Sequence, residues 1–178
     1  MVETRKSLSR NYLYSLLQQF VSVALPLVTA PYLSRVLGPT GLGIIAFSGS
    51  IVQYFTLFGG LGLALYGNRT VARVREDKAK LSQTFWEIFS LRASLTLFSL
   101  LCFLLSLVFL KPHHPEVYLV QSFLILSAAL DLSWLYMALE DFRKIAIRNV
   151  AIRLVGLMLI FVLVRSSEDF VKYAFISV

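Results

Sequence analysis

Long apolar runs alternate with short polar connectors along the whole chain. Runs dense in apolar residues cover 12–37, 41–66, 85–110, 117–139 and 145–164, and a sixth opens at 170. A hydrocarbon layer about 30 Å thick needs roughly 20 apolar residues at about 1.5 Å of rise each, so each of the five complete runs is long enough to cross it as a helix. Barrel strands would be runs of about 10 alternating residues, and helices satisfy their backbone groups within the segment, as lipid requires. The first run is too long for a secretory signal and is followed by others. The pattern predicts an all-α polytopic membrane helix bundle with five complete transmembrane helices and the start of a sixth.

Polar residues inside the first two runs are ordered. Asn11, Ser15, Gln18, Ser22 and Thr29 follow at steps of four, three, four and seven, which keeps them on one helical face. A membrane helix with one polar stripe should face something wet. Pro26 and Pro31 remove backbone donors from the same helix, at places where a hinge would be useful. In the second run Ala46, Ser50, Gly60 and Ala64, with Gln53 beside them, form a small-residue face of the kind that lets membrane helices approach closely.

Composition agrees. Hydrophobic residues make up 57% of the chain and charged residues 15%, with mean hydropathy +0.74, whereas soluble domains average about 25% charged. Lys and Arg alternate between connectors: Arg5, Lys6 and Arg10; Arg35; Arg69, Arg73, Arg75, Lys78 and Lys80; Lys111; Arg143, Lys144 and Arg148; Arg165 and Lys172. By the positive-inside rule this predicts a cytoplasmic amino terminus, with the loops around Arg75 and Arg143 on the same side. The net charge of +7 is then mostly a topology signal, and nucleic acid is not expected as a partner.

Enzyme and metal chemistry find little support. Cys102 is the single cysteine, so no disulfide or paired metal motif exists. His113 and His114 sit in a Pro-flanked turn without the three or four converging ligands a metal needs. Glu76 and Asp77, and likewise Glu140 and Asp141, are interleaved with cations rather than arranged as the acidic loops of a membrane transferase. No cofactor is expected. The informative charges are Asp131 and Arg153, each eleven residues from Phe142. Antiparallel neighbours joined by a short turn centred there would hold them at one depth, about 12 Å inside the span. Charges that deep are paired or line a polar cavity. An Asp131–Arg153 ion pair gluing the hairpin and a place in a transport pathway are both open readings, and Arg92 approaches the same region.

Several stretches together carry a family resemblance: Asn11-Tyr-Leu-Tyr-Ser-Leu-Leu-Gln18, Pro31-Tyr-Leu-Ser-Arg-Val-Leu-Gly-Pro-Thr-Gly-Leu-Gly43, Tyr66-Gly-Asn-Arg69, and Asp131-Leu-Ser-Trp-Leu-Tyr-Met-Ala-Leu-Glu-Asp-Phe-Arg-Lys144. In this order and spacing they resemble the Wzx-type oligosaccharide repeat-unit flippases, the polysaccharide transporter family of the MOP (MATE-like) superfamily. The resemblance implies a multi-pass protein of the bacterial inner membrane. Its partner would be an undecaprenyl-pyrophosphate-linked oligosaccharide, flipped by alternating access between two lobes, with H+ or Na+ as a coupling ion and membrane lipids as surroundings. Residues 1–178 would then form a single incomplete lobe, most of the amino-terminal one, needing a carboxy-terminal lobe as partner. In that setting Arg153 and Arg92 would supply cationic potential, Asp131 would fix Arg153 or titrate as a coupling group, and Gln18, Ser22, Gln53 and Asn11 would line the substrate pathway. A MATE-like cation-coupled drug exporter and a truncated, non-transporting fragment or interaction subunit are the alternatives.

Overall fold

The computed structural model of the chain describes residues 2–178, with side chains from residue 12 onward. Its elements are α1 (Val2–Val36), α2 (Gly38–Gly60), α3 (Leu63–Val74), α4 (Lys78–Leu110), α5 (Pro115–Leu130), α6 (Ser133–Ala138), α7 (Phe142–Leu163), a 3-10 turn (Ser167–Asp169) and α8 (Phe170–Ser177). Five segments among the described residues are long and apolar enough to cross a membrane: Tyr12–Val36, Gly38–Val74, Lys78–Leu110, Pro115–Ala138 and Phe142–Leu163. The chain is an all-α polytopic membrane bundle.

Local sequence sets the helix ends. Pro39 and Pro115 sit at the openings of α2 and α5, where the missing N–H costs nothing. Asp77 caps α4 by accepting the amides of Ala79 (3.1 Å) and Lys80 (3.2 Å). Asp141 caps α7 through the amide of Lys144.

The second and fourth spans read as continuous in the sequence, yet both are broken. Between α2 and α3, Leu61 and Gly62 take left-handed φ of 37° and 73°. Glycine adopts that conformation without steric cost, so the Gly59–Gly62 stretch is where the helix gives way. Between α5 and α6, Asp131 is extended, with φ −72° and ψ 107°.

The two breaks divide the core. On one side Val52 of α2, Phe103 of α4, and Tyr118 and Ile125 of α5 form one apolar cluster. On the other, Val71 of α3, Ile88 of α4, and Trp134 and Ala138 of α6 form a second. The layer between them is polar: Arg92, Thr96 and Ser99 of α4 are buried, and Ser99 Oγ donates to the Phe55 carbonyl at 2.6 Å. A third cluster, around Leu33, Leu37 and Val164 with Tyr32, Phe170 and Tyr173, ties α1 to α7 and α8. Tyr32 Oη closes it by donating to the Val164 carbonyl at 2.7 Å.

The small-residue face expected on the second span does not make the helix contacts. Ala46, Ser50, Gln53 and Ala64 are exposed, and no atom lies within 4 Å of where a Cβ on Gly60 would stand. The helix is turned instead so that Ser48, Val52 and Gly59 face inward. Close approach falls to Gly59, where an added Cβ would stand 3.2 Å from Thr96 Cα, and to Gly67 of α3, where it would meet the Trp134 ring. Elsewhere the outer surface is apolar, with Phe20, Leu27 and Phe109 at least 70% exposed, as a lipid-facing surface requires.

Candidate functional site

The site is built on the break between α5 and α6. In a continuous helix the Asp131 carbonyl would accept the amide of Leu135. Here that amide goes to Leu132, at 3.0 Å, and the freed Asp131 carbonyl takes Nη1 of Arg92 at 2.9 Å. The Asp131 carboxylate turns back on the start of α6, where Oδ1 accepts the Ser133 amide (3.1 Å) and hydroxyl (2.5 Å). From α7, Arg148 Nη2 donates to the same Oδ1 at 3.3 Å and to Ser133 Oγ at 2.8 Å. Arg148 Nε donates to Asn149 Oδ1 at 3.2 Å.

Asp131, Ser133, Arg148 and Asn149 line an open groove of about 310 Å³ with Ile152 and Arg153. A second groove, of about 380 Å³, runs between α1 and α7 and carries Ser22, Pro26 and Thr29 on one wall and Arg153 and Gly156 on the other. Ile152 and Arg153 belong to both. The two grooves therefore share Arg153 and form a track along α7 that is charged beside Asp131 and mostly apolar toward Leu157, Ile160 and Ile176. Proline has no amide hydrogen, so Pro26 also leaves the Ser22 carbonyl without its helical donor on this wall.

The charges along the track are unequal. Asp131 answers Arg148 at 3.3 Å, whereas Arg153 has no acidic or hydrogen-bonding partner among the described residues. An ionisable group at the centre of a span costs roughly 2.5 to 3.5 kcal/mol on insertion scales. A guanidinium presents a planar fork of donors that matches the oxygens of phosphate or carboxylate. Beyond the span ends the ion pairs are exposed: Arg75 Nη1 meets Glu140 Oε1 at 2.7 Å, and the hydrogen bond to Glu140 raises the Arg75 pKa. Lys144 holds the Asp141 carboxyl below its ordinary range.

The residues singled out in the sequence fare differently. Arg92 does reach Asp131, through the backbone. The expected Asp131–Arg153 ion pair is not formed: Arg148 is the partner. The turn is centred at Leu139–Glu140 rather than at Phe142, because α7 begins at Phe142 itself, and Asp131 and Arg148 are nearly symmetric about that centre. Ser22 and Pro26 face Arg153 across the α1–α7 groove, and Gln18 is half-buried on the same helix. Pro31 is exposed on another face of α1, with Val23, Leu27 and Ser34. Gln53 is exposed on α2, outside both grooves, because α2 is rotated as described above. The side chain of Asn11 lies outside the described residues.

Arg148, Ser133 and Asn149 were missed. Arg148 reads in the sequence as one of three topology-setting cations near Arg143, although it falls inside the 145–164 run, and α7 places it six residues from the start of the span. The pattern Asp131-Leu-Ser133, a side-chain acceptor two residues before a backbone amide, is the local signal for a cap and hence for the break.

Fold and site together define a multi-pass membrane protein with a cationic groove inside its spanning segments. Residues 8–178 match the family described as "Polysaccharide biosynthesis protein", and the chain belongs to that family. Two similar proteins carry the name "Putative O-antigen transporter". The one from Escherichia coli (strain K12) is 28% identical over 179 residues, covering 99% of this chain and 43% of its own length. The one from Shigella dysenteriae is 24% identical over 171 residues, covering 94% and 42%. The "Succinoglycan biosynthesis transport protein ExoT" of Rhizobium meliloti (strain 1021) is 31% identical over 81 residues, 46% of this chain and 16% of its own. The chain spans less than half the length of these relatives. No solved structure matches it at a significant level.

Proposed function

We propose that the chain is most of the amino-terminal lobe of a transporter that turns undecaprenyl-pyrophosphate-linked oligosaccharide repeat units across the bacterial inner membrane, with its amino terminus in the cytoplasm. The observation that carries this reading is the unpartnered Arg153 inside the spans, where the charged groove beside Asp131 meets the largely apolar groove between α1 and α7. A pyrophosphate headgroup is doubly demanding. It must shed water in a low-dielectric layer, and its lipid tail must stay in hydrocarbon, so a laterally open cationic track lowers the electrostatic cost of the passage. Arg153 takes phosphate oxygens. Ser22 and Thr29 face it with hydroxyls suited to sugar, and Pro26 stands where α1 can bend between access states.

The family and the names of its relatives support transport over catalysis. The groove holds two guanidinium groups against one carboxylate, which suits an anionic cargo and disfavours a cationic drug. A second lobe and a coupling ion belong to the same proposal. The test is complementation of a strain lacking its own repeat-unit flippase by the complete transporter containing this lobe. Surface polysaccharide is expected to return and the lipid-linked repeat unit to stop accumulating in the inner leaflet. Continued accumulation with the protein inserted at normal abundance would refute the reading.

A further inference from the structure

The mechanism above uses Arg153 and leaves Arg92 unexplained. Arg92 is 7% exposed in the middle of α4, its Nε has no partner, and the hydroxyl of Thr96, one turn further along, is likewise buried and unpartnered. Its hydrogen bond is to the Asp131 carbonyl, an acceptor that is free only because α5 stops there. A guanidinium kept in such a place for a single carbonyl is a poor choice as plain packing. Leu or Met would fill the layer at lower electrostatic cost and let the helix run on.

We propose that Arg92 is a positioning residue for the groove. By occupying the Asp131 carbonyl it holds the α5–α6 break in place, and the break sets where the Asp131 carboxylate and Ser133 stand. Those two groups in turn hold Arg148 on the groove wall, at 3.3 and 2.8 Å. If the carbonyl is released, it can recover its helical donor, Leu135 N–H. Residues 131–133 then join a continuous helix, the Asp131 carboxylate and the Ser133 hydroxyl leave their present places, and Arg148 loses both partners. This inference takes the groove to be the headgroup path, as proposed above, yet its structural half stands without that.

The experiment reads distance first and transport second. In the full-length protein with Cys102 and every other native cysteine replaced by Ala, in lipid nanodiscs, one nitroxide pair joins Met137 of α6 to Leu101 of α4, and a control pair joins Phe123 of α5 to Leu101. All three positions are exposed. Arg92→Leu is expected to shift or broaden the Met137 distribution and leave the Phe123 distribution unchanged, and Arg92→Lys, which keeps a donor with similar reach, is expected to restore it. Where Arg92→Leu does not accumulate, Arg92→Gln reads the same pairs. An unchanged Met137 distribution, or an equal change in both pairs, overturns the inference. A shifted Met137 pair with unimpaired repeat-unit flipping upholds the positioning role and refutes the headgroup role of the groove, so the two failures are told apart.

Discussion

A methyl group on Gly67 is the sharpest test of how the two interrupted helices lock together. A Cβ built there would stand 2.6 Å from Trp134 Cε3, 2.9 Å from Cζ3 and 3.2 Å from Cδ2. Reaching ordinary contact requires the ring to retreat by about 0.8 Å. It has nowhere easy to go: Trp134 is 3% exposed and stacks on Phe85 at 6.0 Å and 17°, which stacks on Phe89 at 5.7 Å and 18°. Overpacking of this kind costs about 1 to 3 kcal/mol, and the better helix propensity of Ala returns at most about 1 kcal/mol. Gly67→Ala should therefore lose about 2 kcal/mol at the upper end. For a chain of this size that is a fall of roughly 4 to 8 °C in apparent Tm, measured by thermal unfolding in detergent. Gly60→Ala is the control, since nothing lies within 4 Å of its added methyl, and it should leave Tm unchanged or slightly raised. Trp134→Leu placed on Gly67→Ala should recover part of the loss. A Gly67→Ala protein as stable as Gly60→Ala would refute the packing argument.

Two further outcomes follow from other parts of the bundle. Ser99→Ala removes the 2.6 Å bond to the Phe55 carbonyl, and interhelical bonds in membranes average about 0.6 kcal/mol, so a small drop of roughly 1 to 3 °C in apparent Tm is expected; no measurable drop would mean that Phe55 finds another donor. Lys172, at 2.6 Å, and then the amides of Arg165 and Ser166 hold the Asp169 carboxyl well below the usual carboxylate range. A depressed folded-state pKa means that the order it gives the 3-10 turn is fully present above the unfolded value near 3.8 and is lost as pH falls through the lower folded value. The protection factor at the Ser166 amide, its intrinsic over its observed exchange rate, should accordingly hold down to about pH 4 and fall below it, whereas Asp169→Asn should give a low protection factor that does not change with pH across that range.

The spans were legible because twenty apolar residues leave a signal no local detail can hide. Their interruptions were not, although the residues that cause them were in view. Gly59-Gly60-Leu61-Gly62 looks like small-residue packing until the backbone takes two left-handed steps, and Asp131 looks like a deep charge rather than a cap. Starting the fifth run at 145 rather than at Phe142 displaced the hairpin centre by two to three residues, and that displacement assigned Asp131 to Arg153 instead of Arg148. The polar stripe of α1 was read from its spacing, and Ser22 and Thr29 of that stripe do line the groove whose opposite wall carries Arg153. Gln53 shows the opposite case. Periodicity says which residues share a face but not which way the face is turned, and α2 is turned by its contacts with α4 and α5 through Gly59 and Gly49. Contacts between residues distant in sequence, such as Gly67 on Trp134 and Arg92 on the Asp131 carbonyl, leave no periodic trace.

The claim at the centre of this account is that Arg153 meets an anionic headgroup inside the membrane. The direct measurement is the flipping rate of a fluorescent undecaprenyl-pyrophosphate-linked oligosaccharide by the complete transporter in proteoliposomes, compared between wild type, Arg153→Lys and Arg153→Ala at equal incorporation. A charge-assisted hydrogen bond contributes about 1.5 to 3 kcal/mol, so Arg153→Ala should slow flipping by about 10- to 100-fold, with Arg153→Lys in between because a point charge remains without the fork. Wild-type flipping by Arg153→Ala would contradict it.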